Sequence, residues 1–298
     1  MARRSETVRA AAEALIMNQI TPRVYWTPPF EETDRPVMAA IAGEKGTLIV
    51  EAGNSPAHME AFLASLAPMK VPPLRFAFVT HWHWDHVFGG SALSVPIVAQ
   101  EETAQIVTNM AKLNWRDKAL DQRVTEGTEI AFCRDMMKVE FSNAMRGRLE
   151  IRPPEIAFTD LMTIDLGGLI VELVHVGGDH SSDSSVAYVP GDGVVFLGDC
   201  MYYAIYEDPP YYTTRKLFPL MDRLLAFDAQ YYFPAHADQP LTRAEMETWI
   251  EELRLIGRTV DKLGDNRKRI FKTLERQGMA IDDEVQENVS YFIAGIEK

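Results

Sequence analysis

Cysteine is scarce in this sequence, which has only Cys133 and Cys200 among its 298 residues. Two cysteines so far apart in sequence provide neither a disulfide framework nor a Cys-x-x-Cys metal site. The chain is therefore compatible with a reducing compartment. A long apolar run is also lacking, because no segment approaches the roughly 18 apolar residues that a bilayer-spanning helix needs. We therefore expect a protein without a membrane span.

Positive charge is in deficit. The chain has 43 acidic and 30 basic residues, a formal net charge of −13, which repels polyanions. The densest basic cluster, Arg267-Lys268-Arg269, is typical of a solvated helix face. Nucleic acid is therefore not an expected partner, and a small-molecule substrate is favoured.

The first 18 residues have two arginines near their start, Arg3 and Arg4, but lack the features of a signal peptide. Glu6, Arg9 and Glu13 interrupt the apolar stretch that such a peptide requires. The segment predicts an amphipathic helix in a cytoplasmic protein.

Short apolar runs bounded by turn residues predict strands at 37–41, 47–51, 76–80, 155–163, 169–176, 185–189, 194–197 and 231–233. Helical spacing predicts helices after the capping residue Ser55, at 101–113 and at 214–227, with later starts near Thr242, Asp265 and Asp282. These elements predict one α/β domain over 1–298. We expect a helical cap inserted at about 101–152 and a helical C-terminal extension at about 241–298.

The segment HWHWDH at residues 81–86 places three imidazoles and a carboxylate directly after a predicted buried strand. Side chains two apart lie on the same side of extended backbone, so His81 and His83 can reach one metal ion. The following turn directs Asp85 and His86 toward a second. Zn²⁺ prefers such nitrogen and oxygen ligands, and buried without a metal these groups would lack partners.

This segment is similar to the His-x-His-x-Asp-His signature of the metallo-β-lactamase-fold superfamily. GDHS at 178–181, FLGD at 196–199 and FPAH at 233–236 resemble the later motifs of that superfamily, in the same order. The resemblance implies a four-layer αββα sandwich of two mixed sheets with helices outside. It also implies a His/Asp dinuclear site, as in glyoxalase II and the lactonases, rather than the cysteine-ligand site of some β-lactamases.

The resemblance implies two divalent metal ions, with zinc expected and Mn²⁺ or Fe²⁺ as alternatives. Seven residues of this sequence match the ligands of the family, in two groups bridged by Asp199: His81, His83 and His180 for the first ion, and Asp85, His86 and His236 for the second. Cys200 is interpreted as a small buried residue rather than a ligand.

Several residues depart from or extend the family pattern. Glu51 stands where the family usually has aspartate, and we hypothesise that it orients a ligating histidine. Asp179 and Asp183 flank the third histidine where small residues are common. Tyr202 follows Asp199 by three residues, which resembles the lactonases, where a tyrosine hydroxyl assists the substrate carbonyl. The remaining histidines, His58 and His175, are assigned to packing or surface roles.

The predicted activity is hydrolysis by a metal-bridging hydroxide, with Asp85, Asp199 and Tyr202 as the catalytic candidates. Aromatic and methionine residues of the insertion and the following loop favour a small ester or lactone with an apolar portion. They are Trp115, Phe132, Met136, Met137, Phe141, Tyr206, Tyr211 and Tyr212. The alternative is that they pack within the cap or in a homodimer formed through the insertion.

Other chemistries stay open because this superfamily cleaves several kinds of bond on similar metals. A thioester hydrolase, a β-lactamase, a phosphodiesterase and a sulfate-ester hydrolase would all use the same site. A non-haem iron dioxygenase is a further alternative. A nuclease is opposed by the charge of −13, and a non-catalytic binding module by the complete ligand set.

Overall fold

Two β-sheets lie face to face between layers of helices in the computed structural model, which describes residues 15–298. This arrangement confirms the predicted α/β sandwich with outer helices. The helix predicted for residues 1–18 lies almost wholly outside the described residues, and Asn18 already begins a strand.

The first sheet has seven strands in chain order: β1 (Asn18–Thr21), β2 (Val24–Thr27), β3 (Met38–Ala42), β4 (Thr47–Val50), β5 (Leu74–Phe78), β6 (Ile97–Gln100) and β7 (Ile156–Phe158). It is mixed, since β1 to β4 pair antiparallel and β4 to β7 pair parallel. A hairpin joins the two predicted strands β3 and β4, and it is closed by a hydrogen bond from the N–H of Gly43 to the carbonyl of Gly46 at 2.9 Å.

The second sheet has six strands in the order β13-β12-β11-β10-β9-β8. They are β8 (Leu161–Asp165), β9 (Ile170–His175), β10 (Ser185–Val189), β11 (Val194–Gly198), β12 (Tyr231–Pro234) and β13 (Leu241–Thr242). Only β11 and β12 pair parallel.

The single strand predicted at 155–163 is wrong, because the chain changes sheets within it. Ile156 pairs with Val98 in the first sheet, whereas Leu161 pairs with Val174 in the second. Two polar residues, Thr159 and Asp160, interrupt the apolar pattern between the two strands. The tertiary pairing partners show that they belong to different sheets.

Ten helices of the described chain cover the outer faces: α1 (Pro56–Leu66), α2 (Trp84–Val87), α3 (Glu101–Met110), α4 (Asp117–Glu126), α5 (Ala131–Glu140), α6 (Asn143–Arg146), α7 (Thr214–Leu225), α8 (Arg243–Leu263), α9 (Arg267–Arg276) and α10 (Asp283–Ala294). Ser55, Thr242 and Asp282 cap helices as predicted, whereas Asn266 rather than Asp265 caps α9. None of the helices in residues 15–298 combines the length and the apolar character that crossing a membrane requires.

Apolar side chains fill three layers. Between the sheets, Trp26 packs edge-on against Phe233 at 5.4 Å, and Phe233 stacks on Phe196 at 4.7 Å. The outer face of the first sheet packs on α1 and the insertion helices, and that of the second sheet packs on α7 to α10. Strands covered on both faces, such as β3, are therefore apolar throughout rather than alternating.

The insertion between β6 and β7 contains α3 to α6 and is organised around the buried Arg146. Its guanidinium donates to the carbonyls of Trp115, Met137 and Phe141 and pairs with Asp117. Since a buried cation needs such partners, the insertion helices are held in one arrangement against the first sheet.

Candidate metal centre

The ends of strands from both sheets meet at one edge of the sandwich. β5 leads into the loop of His81, and the parallel pair β11 and β12 leads to Asp199 and His236. Gly198 allows this approach, because a Cβ there would lie 2.5 Å from Oγ1 of Thr80. The loop from β9 to β10 brings in the last ligand candidate, His180.

The structure brings all seven predicted metal ligands together in two groups whose ligand atoms lie within 4.8 Å of one another. The groups are His81, His83, His180 and Asp199, and Asp85, His86, Asp199 and His236. Asp199 belongs to both groups, as the resemblance implied.

Distances around Asp199 describe the centre. Its Oδ2 lies 3.4 Å from Nε2 of His86, of His180 and of His236, and 3.8 Å from Nε2 of His81. In the first group, Nδ1 of His83 lies 3.0 Å from Nε2 of His180. His83 therefore directs its Nδ1 toward the first group. The other four ligand histidines direct Nε2 toward the groups to which they belong.

Unpartnered polar atoms show that this donor set fits divalent ions. Nε2 of His81, Nε2 of His86 and Oδ1 of Asp199 are buried, without a hydrogen-bond partner in the described part of the chain. Leaving such groups unsatisfied costs free energy, which metal coordination offsets. Imidazole nitrogen and carboxylate oxygen match zinc and related ions.

Outer contacts orient the ligating rings. Nδ1 of His81 lies 3.1 Å from Oγ1 of Thr80, and Nδ1 of His180 lies 3.0 Å from the carbonyl of Tyr203. Oε1 of Glu51 lies 3.1 Å from Nδ1 of His86, close enough for an ion pair but not aligned as a hydrogen bond. Such contacts hold a histidine in one orientation for its ion.

The charges of the two groups differ. Burial, reinforced by the neighbouring imidazoles, lowers the pKa of His81 and His83 well below the usual value. Burial also opposes the charged form of His86 and His236, but the carboxylates of Asp85 and Asp199 prevail and raise both pKa values well above it. His81 and His83 of the first group are therefore neutral imidazoles. In the second group, His86 and His236 hold protons that a metal ion would displace.

A cavity of about 300 Å³ opens onto the two groups. Besides metal ligands, its lining is Asp34, Phe132, Cys133, Tyr202, Tyr203 and Ile205. Tyr202, the predicted carbonyl partner, lies in this lining with its ring centroid 6.2 Å from that of His180. Burial and the Asp199 carboxylate raise the pKa of Tyr202, so its hydroxyl stays protonated as a donor.

The predicted aromatic and methionine wall is largely wrong, since of its eight residues only Phe132 lines the cavity. Trp115, Met137 and Phe141 are buried in the core beneath the insertion. Tyr206 packs against Trp82 at 4.9 Å and donates to Glu129. The alternative prediction, packing within the cap, describes these four residues, whereas Tyr212 packs against Tyr291 and Phe292 of α10.

The other residues singled out in the sequence lie near the centre or apart from it. Cys200 is fully buried and outside both groups. His58 is buried in α1 and accepts the N–H of Asn54 at 3.4 Å, while Nε2 of His175 lies 2.8 Å from the carbonyl of Ser182. These contacts match the predicted packing and surface roles of the two histidines.

Asp34 is a cavity residue that the sequence did not reveal. It ends a short 3-10 helix, Glu31–Thr33, in the left-handed conformation, with φ of 56°. Burial and the Asp85 carboxylate raise its pKa to about 7. No motif surrounds it, and the chain segment is distant in sequence from every ligand, so only the fold places it in the cavity.

The family model described as the metallo-beta-lactamase superfamily matches residues 35–258 of the chain. The chain belongs to this superfamily. Among curated proteins, the linear primary-alkylsulfatase of Pseudomonas sp. (strain ATCC 19151) is 22% identical over 258 residues, which are 77% of this chain and 46% of that protein. The metallo-beta-lactamase type 2 of Bacteroides fragilis is 38% identical over 48 residues, 16% of this chain and 19% of that one. The chain thus spans less than half the length of these two curated relatives.

Solved structures of the superfamily share the fold. A metallo-beta-lactamase from Pontibacter korlensis superposes with a TM-score of 0.55 at 18% identity, covering 80% of this chain and 97% of that one. A metallo-beta-lactamase family protein from Thermus thermophilus gives 0.57 at 15% identity, covering 87% and 95%. At these identities the likeness concerns the fold alone.

Proposed function

We propose that this superfamily member is a metal-dependent hydrolase that cleaves a small, uncharged ester or lactone with an apolar portion. The observation that carries the substrate class is the lining of the cavity. Phe132, Tyr203 and Ile205 provide apolar surface next to the two ligand groups, and no lysine or arginine lines this cavity in the part of the chain that the structure describes.

A cavity without cationic side chains favours a neutral substrate. The lining offers the anionic group of a sulfate or phosphodiester no lysine or arginine, so its charge would be balanced by the metal ions alone. A carboxylic ester or lactone carries no such charge, and its alkyl portion gains free energy by leaving water for the apolar lining.

The ligand groups define how the chain would hold its metals. His81, His83 and His180 would hold one ion, Asp85, His86 and His236 the other, and Asp199 would bind both. When bound, divalent ions, with zinc as the proposed species, supply Lewis acidity and lower the pKa of water to about 7.

Side chains supply the remaining functions. The raised pKa of Tyr202 keeps its hydroxyl protonated, and we propose that it donates to the substrate carbonyl oxygen as negative charge develops there. The nearby imidazoles of His86 and His236 overcome the effect of burial and depress the pKa of Asp85. Asp85 is therefore a carboxylate, and we propose that it accepts a proton from the attacking water for transfer to the leaving group.

A substrate panel with metal analysis tests this proposal. Plasma emission after dialysis should find close to two metal equivalents per chain, with zinc dominant. Neutral short-chain aryl esters and lactones should be hydrolysed better than thioester, β-lactam, phosphodiester or sulfate substrates, and a chelator should remove activity. Full activity without metal, or oxygen consumption with redox-active iron, would contradict the proposal and the latter would favour the dioxygenase alternative.

An alkyl sulfate is the second candidate substrate. It is favoured by the curated alkylsulfatase, which aligns with 77% of this chain, and the apolar lining would suit its alkyl chain. A higher kcat/KM for an alkyl sulfate than for the carboxylic ester of the same chain length would establish it.

A cytoplasmic location and a homodimer formed through the insertion stay predictions of the sequence.

A further inference from the structure

Nε2 of His83 is the outer ring nitrogen of this ligand candidate, since its Nδ1 faces the first group. This nitrogen is buried and has no hydrogen-bond partner in residues 15–298. The outer nitrogens of three other ligand candidates each contact an oxygen atom, namely those of His81, His86 and His180. The orientation of the His83 ring therefore depends on packing rather than on a polar contact.

Aromatic rings surround His83. Its ring centroid lies 4.9 Å from that of Tyr206, at an interplanar angle of 45°, and 4.6 Å from that of Trp82, at 89°. Trp82 and Tyr206 also contact each other, with centroids 4.9 Å apart. The rings of His81 and His180 lie 4.4 and 4.5 Å from that of His83. Rings at these separations favour a defined relative orientation, so the imidazole has little freedom to turn.

Tyr206 lies in the loop between β11 and α7, and the insertion fixes its position. Its hydroxyl donates to Oε1 of Glu129 at 3.0 Å, and Sγ of Cys133 lies 3.6 Å from the same hydroxyl. Glu129 is buried between α4 and α5, where the same Oε1 accepts the N–H of Ile130 at 3.0 Å. The insertion thus holds the ring of Tyr206, and that ring contacts His83.

We propose that Tyr206 is a positioning residue of the metal centre: Glu129 anchors its hydroxyl, and its ring holds His83 with Nδ1 directed toward the first ion. A ring that is already in its binding orientation loses less conformational freedom when an ion arrives, so the affinity is higher. The insertion thereby supports metal binding, although it provides none of the seven ligand candidates. The inference rests on the metal binding within the proposed function and not on the ester substrate.

Cobalt titration of the apoprotein tests this role without a substrate. The full chain is stripped of metal with a chelator, and Co²⁺ binding is followed through its visible absorption bands, which depend on ligand geometry. His83→Ala identifies the bands and the affinity that belong to the first group. Tyr206→Leu removes the aromatic ring and should lower the affinity of that group by about tenfold or more and shift its bands. The affinity of the second group should stay close to that of the parent.

Variants that change only the anchor separate it from the packing of the ring. Tyr206→Phe keeps the ring but loses the hydrogen bond to Glu129, so it should show a smaller loss of affinity than Tyr206→Leu. Glu129→Ala removes the acceptor and should behave like Tyr206→Phe. Glu129→Gln keeps an oxygen that accepts the hydroxyl of Tyr206 and should retain the affinity of the parent.

Tyr25→Leu is the matched control for lost packing. Tyr25 is another partly buried tyrosine that packs on the same core cluster as Tyr206, but it belongs to neither ligand group and does not line the cavity. Its replacement should lower the free energy of unfolding in urea and leave the Co²⁺ affinity and bands unchanged.

Parent-like Co²⁺ affinity and bands in a folded Tyr206→Leu would overturn the positioning role. Equal losses in Tyr206→Leu and Tyr25→Leu would also overturn it, because they would show a general effect of stability. If Tyr206→Leu does not fold, equal affinities of Tyr206→Phe, Glu129→Ala and Glu129→Gln would have the same meaning. A parent that binds Co²⁺ but cleaves no neutral ester would contradict the proposed hydrolysis, whereas the titration would still decide the role of Tyr206.

Discussion

Oε1 of Glu51 lies 3.1 Å from Nδ1 of His86 and accepts the hydroxyl of Thr80 at 2.6 Å. Glu51 directly follows β4 and has a φ of 69°, in the left-handed region. This backbone conformation directs its side chain, which is longer than that of aspartate, toward the metal centre. Since Oγ1 of Thr80 also contacts Nδ1 of His81, one carboxylate supports a ligand of each group. The substitution of glutamate for the usual aspartate thus preserves an orienting role.

Glu51→Gln should weaken metal binding by about 10 to 100-fold, because the ring of His86 loses its charged partner. Competition with a fluorescent chelator measures the affinity of each site, and the second group should be affected more. Glu44→Gln, in the exposed turn between β3 and β4, is the matched control. Equal affinities for both variants would show that Glu51 does not orient the ligand.

Asp199→Ala should abolish turnover and lower the metal content, because both ligand groups lose a shared anionic member. Cys200→Ser changes the adjacent buried residue, which belongs to neither group, and should retain both metal equivalents. Plasma emission and ester hydrolysis on the same preparations make the comparison. Loss of a metal in the serine variant, with two equivalents kept in Asp199→Ala, would reverse these assignments.

Tyr202→Phe should lower turnover of a lactone by about 10² to 10³-fold if its hydroxyl donates to the developing oxyanion. The ring still packs, so stability should change little. Tyr203→Phe is the neighbouring control, since its ring stacks on Tyr291 at 4.1 Å. Parent-like turnover in Tyr202→Phe at equal metal content would remove the hydroxyl from the mechanism.

Asp183→Asn should destabilise the fold by about 1–3 kcal/mol. The fully buried carboxylate accepts the N–H of Trp82 at 3.0 Å, the hydroxyl of Thr103 at 2.7 Å and the hydroxyl of Ser181. An amide would turn one of its acceptors into a donor facing other donors. Urea unfolding measures the loss.

Thr103→Val removes one of these donors from α3 and should cost less than Asp183→Asn. Both variants should also weaken metal binding by the first group, since Trp82 lies between His81 and His83 and Ser181 follows His180. Unfolding free energies and metal affinities equal to those of the parent would contradict this role.

Metal affinity should fall as the pH falls. In the absence of metal, His86 and His236 have pKa values well above the usual 6.5, so they hold protons that an ion must displace. Below these raised values, affinity should decrease by about tenfold per pH unit for each proton displaced. Dialysis from pH 8 to pH 5 followed by plasma emission measures this release. Retention of both ions at pH 5 would contradict the competition.

The sequence alone predicted the seven ligand candidates, three of them through the resemblance of its later motifs, and most strands of the sandwich. Clustered imidazoles and carboxylates are rare without a metal because their burial is costly, so the HWHWDH segment at 81–86 is informative by itself. Strand and helix boundaries followed from local periodicity and capping, as at Ser55 and Thr242. These boundaries depend on neighbours in the chain.

Tertiary structure alone decided the features that depend on distant neighbours. The change of sheet between β7 and β8 reflects the pairing partners of Ile156 and Leu161 rather than their own apolar pattern. Whether an apolar residue faces the core or the cavity also depends on residues that are distant in the chain. The sequence therefore could not show that Phe132 lines the cavity whereas Trp115 is buried in the core. Asp34 enters the cavity because a long-range ion pair and hydrogen bonds fix its turn, and none of those contacts leaves a pattern in the surrounding sequence.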